Sequence, residues 1–347
     1  MYLAIAVLAL ALTLGNCAGS SSDTRARVAL GSAARPDPTP QATVDKVAYD
    51  AKMRALAHGS DEMAGSAGAT SSVQGLWPVR APYPKPGALL PYNRIVAYYG
   101  NFYSKRMGIL GEYPPQEVLR RLQAAAKQWE NADPLTPVIP AIDYIVMSAQ
   151  GSPGPDGMYR LRMPESHIDK ALGMANQVNG LFFLDFQTGW STVQKEVPRY
   201  EKYLVKPNVH LSLDPEFSMK NGVRPGRKVG SLDADDINWA ARYLASLVKK
   251  HDLPPKVLVV FRFTEGMVTN FEAITPLPEV QIVIAMDGWG PKANKVKTYR
   301  SVITTEPVQF TGFKLFYKND LRAPSKGLMR PAEVLKLLPA PSYIQYQ

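Results

Sequence analysis

The chain has 347 residues, 46% hydrophobic and 20% charged, a balance that excludes wholesale disorder and a polytopic membrane protein. Its net charge is +10, but Lys and Arg are scattered rather than gathered in a block, so nucleic-acid binding is not expected. A single cysteine, Cys17, lies in the N-terminal leader, which excludes disulfide stapling, thiol catalysis, iron–sulfur clusters and cysteine zinc sites from the folded part.

Residues 1–17 begin with an apolar run too short to span a bilayer and of signal-peptide length. The run closes on Leu14-Gly15-Asn16-Cys17, which resembles the lipobox of bacterial lipoproteins. The resemblance implies lipidation of Cys17 and an exported protein held at the cell envelope by a lipid anchor; simple cleavage with secretion, or an uncleaved anchor, are the alternatives. Residues 18–85 are rich in Ala, Gly, Ser, Thr and Pro and read as a low-complexity tether, within which 43–58 has the pattern of a short helix, marginal without a partner.

From residue 86 to 347 short apolar runs alternate with segments of helical period. Strands are predicted at 94–100, 137–145, 180–187, 209–217, 256–263, 280–289, 312–318 and 342–347. Helices are predicted at 115–130, 165–178, 193–204, 233–250, 292–302 and 331–338, with a turn near Asn270. Pro114-Pro115 suits a first helical turn, and Asp233 suits an N-cap. Eight strands with intervening crossovers give an α/β fold of the (β/α)8 TIM-barrel type, monomeric, with working residues at the C-terminal strand ends. The segment before the first strand is a candidate replacement for a missing last helix. An open doubly wound sheet is disfavoured because no Gly-rich phosphate turn follows the first strand, and no nucleotide cofactor is expected.

Side chains alternate across a strand, so a strand over 209–217 places His210, Ser212, Asp214 and Glu216 on one face. The same parity gathers Phe183, Asp185 and Gln187 on the third strand and Ala285, Asp287 and Trp289 on the sixth. Asp143, Arg262 and Lys314 are further candidates at strand ends, and Tyr98, Tyr99, Trp190 and Trp289 are aromatic ones. Carboxylates beside aromatic faces suit sugar binding, where rings cover the apolar side of a pyranose and polar groups fix its hydroxyls. Glycoside hydrolysis needs a protonated acid beside an ionised carboxylate, and crowding raises carboxyl pKa values. Glu216 is the preferred general acid, with Asp214 orienting it and Asp185 or Asp287 as nucleophile, base or stabiliser. Tyr99, Asp143, Gln187, His210, Arg262, Trp289 and Lys314 are the substrate-binding candidates.

The run LDPE at the fourth strand resembles the Asp-x-Glu tip on the fourth strand of family 25 lysozyme-like muramidases and family 18 chitinase-like enzymes. That resemblance implies Glu216 as the acid, Asp214 as its partner and Asp287 as a further acidic wall. The run YYGNFYSKRMGILGEY is similar to one in exported bacterial proteins with glycosidase-like barrels. The first strand lacks the aspartate of the muramidases, and FFLDFQ lacks the longer acidic chitinase signature, so the likeness extends to the superfamily and not to a substrate.

Two rival functions use the same residues. A carbohydrate-binding surface protein would keep the aromatics without tuned acids. A metal-assisted hydrolase would use Asp143, Asp185, Asp214, Glu216 and His210 as ligands, although the four histidines show no ligand spacing and no metal is expected. The loops 151–157 and 220–228 are candidate lids, and Arg224, Arg227 and Lys228 are candidate contacts for an anionic polymer.

Overall fold

The computed structural model describes residues 44–59, 75–220 and 222–347. The expected signal peptide, Cys17 and much of the expected tether lie outside them. No helix among the described residues is long and apolar enough to cross a membrane.

Eight strands form the barrel: β1 Arg94–Gly100, β2 Val138–Ala149, β3 Leu181–Phe186, β4 Val209–Leu213, β5 Lys256–Arg262, β6 Val280–Met286, β7 Phe310–Leu315 and β8 Tyr343–Tyr346. Each is parallel to the next, and β8 returns to β1 with Ile95 opposite Tyr343, so the sheet closes. The main helices are α1 Lys46–His58, α2 Pro115–Ala132, α3 Glu165–Gln177, α4 Ala234–His251 and α5 Lys292–Thr298. Closure divides the buried residues into two cores, as strand parity requires. Val96, Ile142, Leu184, Leu211, Val260, Ile284 and Phe313 meet the outer helices. Ile95, Ala97, Ala141, Phe183, Val257, Val259 and Tyr343 fill the lumen.

Several boundaries depart from expectation for local reasons. β4 ends at Leu213, because Asp214-Pro215 starts a 3-10 turn over Pro215–Phe217. β2 runs on to Ala149 because an antiparallel strand, Arg160–Arg162, pairs with its end. The expected helix at 193–204 is broken into three short turns around Pro198. α4 starts on a capping box in which Asp233 and Asp236 exchange side-chain bonds with each other's backbone.

Within the expected tether of residues 18–85, the expected helix forms at Lys46–His58 and packs on the barrel. Tyr49 and Met53 of α1, with Leu90, join the lumen cluster from below, so α1 seals the N-terminal end of the barrel. It plugs this floor and does not stand in for an outer last helix. Asp45 caps it through a 3.0 Å bond from the Ala48 N–H, and the Ala340 N–H donates to Leu56 O at 2.7 Å. Gln281 of β6 fastens the segment leading into β1, accepting from the Leu89 and Leu90 amides and donating to Leu90 O at 2.6 Å. The partner that a lone helix lacks is therefore the barrel itself.

Candidate active site

The C-terminal ends of the strands surround a groove of about 750 Å³. Its chemical centre is a set of three carboxyls, Asp214, Glu216 and Asp287, each with an oxygen within 4.8 Å of the others. Three short stretches of backbone bring them together. Asp214 follows β4 directly, and its Oδ1 accepts the Glu216 N–H at 3.1 Å, which sets the turn that carries Glu216. The far side of that turn is closed by the Gly230 N–H donating to Glu216 O at 2.7 Å. A Cβ at Gly230 would approach Ser218 O to 2.5 Å, so the loop can return this closely only through glycine. Asp287 extends β6, with its N–H donating to Arg262 O at 2.9 Å.

Glu216 thus reaches the cluster from a turn, one step beyond the strand face on which it was expected. It is half-buried, whereas Asp214 and Asp287 are buried. Lys314 of β7 places its Nζ 3.0 Å from Asp287 Oδ1, and its ammonium lies over the Tyr99 ring at 4.1 Å. Burial, and then the charge of Asp287, push the Glu216 carboxyl up to about 7, with Lys314 opposing. Burial also raises Asp287, but Lys314 pulls against it both as a charge and as a bonded partner. Of the three carboxyls only Asp287 forms an ion pair among the described residues, an arrangement that favours negative charge on Asp287 over Glu216. Asp214 is driven well above the ordinary range by burial, then by Asp287 and Glu216.

Beneath the cluster runs a chain of hydrogen bonds. Gln187 Nε2 donates to Asp214 Oδ2 at 3.4 Å and to the Tyr99 hydroxyl at 3.2 Å, and Tyr99 donates to Asp185 Oδ2 at 3.2 Å. The Ala149 N–H donates to Gln187 Oε1 at 3.1 Å and fixes the amide's orientation. Asp185 is fully buried, with Oδ1 unpartnered, and burial followed by Asp143 and Asp214 raises its pKa well above normal. It supports the groove from below and does not line it, which removes it as a nucleophile. Asp143 lies in the lumen, accepting from Ser212, Tyr343 and Gln345 at 2.7–2.8 Å; burial lifts it to about 6. His210 is likewise a lumen residue, its Nδ1 accepting the Val257 N–H at 3.1 Å, and burial holds it well below the ordinary histidine range. Neither touches the groove.

Arg262 is corrected outright. It shares the outer face with Leu258 and Val260, pairs with Glu306 and donates to the carbonyls of Thr264, Glu265 and Val268. Its strand is apolar on both faces, so sequence parity gave no direction. Tyr98 also faces outward, its hydroxyl 3.0 Å from that of Tyr317. Trp190 packs on Tyr159, ring centroids 4.3 Å apart, and its Nε1 donates to Val223 O at 2.8 Å, so it anchors the 220–228 loop.

Tyr99, Gln187, Trp289 and Lys314 do line the groove, and Trp289 is 54% exposed as a ring platform. Sequence reasoning missed Phe217, Phe263, Phe316 and Arg106 in the lining. It also missed the brace behind the β6 and β7 tips. Buried Lys295 donates to Gly288 O and Lys314 O and pairs with Asp320 at 3.0 Å, while Asp320 accepts from the Gly290 and Phe316 amides. These contacts fix the loop that carries Asp287 and Trp289 and the end of β7 that carries Lys314. The one available signal was an Asp close behind an aromatic strand end, which does not name its partner.

A tight carboxyl triad invites comparison with a cation site. Here Lys314 already supplies a cation to Asp287, and of the proposed ligands only Asp214 and Glu216 join the cluster, while Asp143, Asp185 and His210 are bonded below it. The metal-ligand set drawn from sequence is therefore not assembled.

No family model and no curated protein matches the chain. Among solved structures it is similar to a ruminal GH26 endo-beta-1,4-mannanase at 10% identity and a TM-score of 0.36, over 73% of this chain and 58% of that one. The chain thus spans less than two thirds of that enzyme's length, and a likeness at this level carries no argument about chemistry. The (β/α)8 barrel stands on its own strand pairing.

Proposed function

We propose that the protein is a glycoside hydrolase acting on an envelope or extracellular polysaccharide, with Glu216 as general acid and Asp287 as the ionised carboxylate. The observation that carries this reading is the convergence of Asp214, Glu216 and Asp287 within 4.8 Å, with one lysine bonded to Asp287 alone. A carboxyl near pKa 7 keeps about half of its molecules protonated at neutral pH, enough to deliver a proton to a leaving glycosidic oxygen. Lys314 keeps its neighbour charged, ready to stabilise positive character at the anomeric carbon. Asp214 positions the acid: it holds the Glu216 amide, and Gln187 holds it in turn. Trp289, Phe217, Phe263 and Phe316 offer ring faces to the sugars on either side.

The test is release of reducing ends from a panel of envelope and plant polysaccharides by wild type and by Glu216→Gln. Turnover by wild type that the variant abolishes supports the reading. Binding without turnover, unchanged by the substitution, would transfer the protein to the non-catalytic carbohydrate binders.

A further inference from the structure

Five charged side chains line the groove: Arg106, Asp214, Glu216, Asp287 and Lys314. The three acids form the reacting cluster, and Lys314 is committed to Asp287. Arg106 is left over. It is exposed on the loop after β1, and its guanidinium has no ion-pair partner among the described residues. A smaller recess continues the groove past Arg106, lined also by Lys105, Lys318 and Asn319. Lys318 is neutralised there by Glu112 at 2.8 Å, whereas Lys105 forms no ion pair among the described residues.

The loop after β4 repeats the pattern. Arg224, Arg227 and Lys228 are exposed and form no ion pair among the described residues, while Lys220 of the same loop is paired with Asp236. Residues 222–228 are tied to the barrel where Trp190 Nε1 donates to Val223 O, and the Arg227 N–H donates to Arg224 O at 3.2 Å, which sets the cations on one turn. The two basic loops leave the barrel at β1 and β4, with β2 and β3 between them on one side of the ring and four strands on the other. Cations without counterions at both places, on the face that holds the acids, suit a ligand that brings its own negative charges.

We infer that the groove selects a carboxylate-bearing polysaccharide, with Arg106 taking a uronic acid carboxylate beside the carboxyl cluster and the Arg224–Lys228 turn taking further ones along the chain. This inference rests on the polysaccharide reading above, to which it adds the substrate class. A guanidinium grips a carboxylate through two parallel bonds, so Arg106 would also fix the register of the sugar next to Glu216.

The experiment uses the full chain carrying Glu216→Gln, so that ligand is not consumed. Its retention is measured in gels containing polygalacturonate or hyaluronan, and in gels containing the same polymers after carboxyl reduction. At least one native uronan is expected to bind about tenfold more tightly than its reduced form, with Arg106→Ala removing most of that difference. The Arg224→Ala/Arg227→Ala/Lys228→Ala variant is expected to lose affinity and show a shallower salt dependence. Equal retention on native and reduced polymers overturns the inference, as does equally strong competition by poly-glutamate, which marks simple polyanion adhesion. Reducing ends released from neutral glycans, without uronan binding, would sink the inference and leave the hydrolase reading standing. Uronan binding by wild type without turnover of any glycan would do the reverse.

Discussion

The two ends of the barrel solve opposite problems with the same strands. At the floor, Gln281 makes three bonds to the Leu89–Leu90 segment, and Tyr49 and Met53 close the lumen with apolar surface. At the mouth, three carboxyls crowd within 4.8 Å with one lysine paired to Asp287, and Asp185 below leaves an oxygen unpartnered. The floor is closed mostly by apolar contacts and satisfied backbone bonds, with the buried Tyr49 hydroxyl as its exception. The mouth holds arrangements that cost stability, and such departures from local satisfaction mark sites kept for function.

Substitutions at the two ends should therefore separate activity from stability. The largest effect is expected at Glu216. Glu216→Gln should lower kcat on a cleaved polysaccharide by roughly 10²- to 10⁴-fold while leaving the melting temperature unchanged or slightly raised. Loss of folding in this variant would blur the contrast between the ends. Next comes Lys314→Met, which strands the buried Asp287 carboxylate and should cost about 3–5 kcal/mol in denaturant unfolding at pH 7. That loss should shrink in acid, where Asp287 takes up a proton.

At the floor, Met53→Ala should destabilise by about 2–3 kcal/mol, because it opens space under the lumen, with kcat unchanged. A matching fall in kcat would show that the two ends are coupled. The smallest effect is the slope of stability with pH. Glu216 binds its proton more tightly folded than unfolded, so the stability it contributes is present below about pH 4.5 and is lost as pH rises through 7. Glu216→Gln should flatten that part of the curve.

Much of the barrel was legible because each strand is a compact apolar run bounded by turn residues; β1 spans the predicted 94–100 without change. Asp214, Asp287 and Gln187 were reachable from parity, since their strands have one polar face at the tip, and Tyr99 and Lys314 only from their place near strand ends. Glu216 was placed at the right end of the barrel for an incomplete reason. Asp214-Pro215 bends the chain, so a turn rather than a strand face delivers it. Arg262 was misdirected because an all-apolar strand carries no parity signal. Asp143 shows that an inward-facing polar residue can be satisfied wholly inside the lumen, and His210 that one can be held there with a single ring nitrogen bonded. The floor helix and the Lys295–Asp320 brace depend on partners far away in the chain, which no local pattern names.

The central claim is a division of charge: the proton on Glu216, the negative charge on Asp287. Carboxyl-selective ¹³C NMR titration of wild type, Glu216→Gln and Asp287→Asn tests it most directly. A side-chain carboxyl titrating near pH 7 is expected, one that disappears in Glu216→Gln and moves to lower pH in Asp287→Asn. A Glu216 resonance titrating in the ordinary glutamate range, indifferent to Asp287, would contradict it.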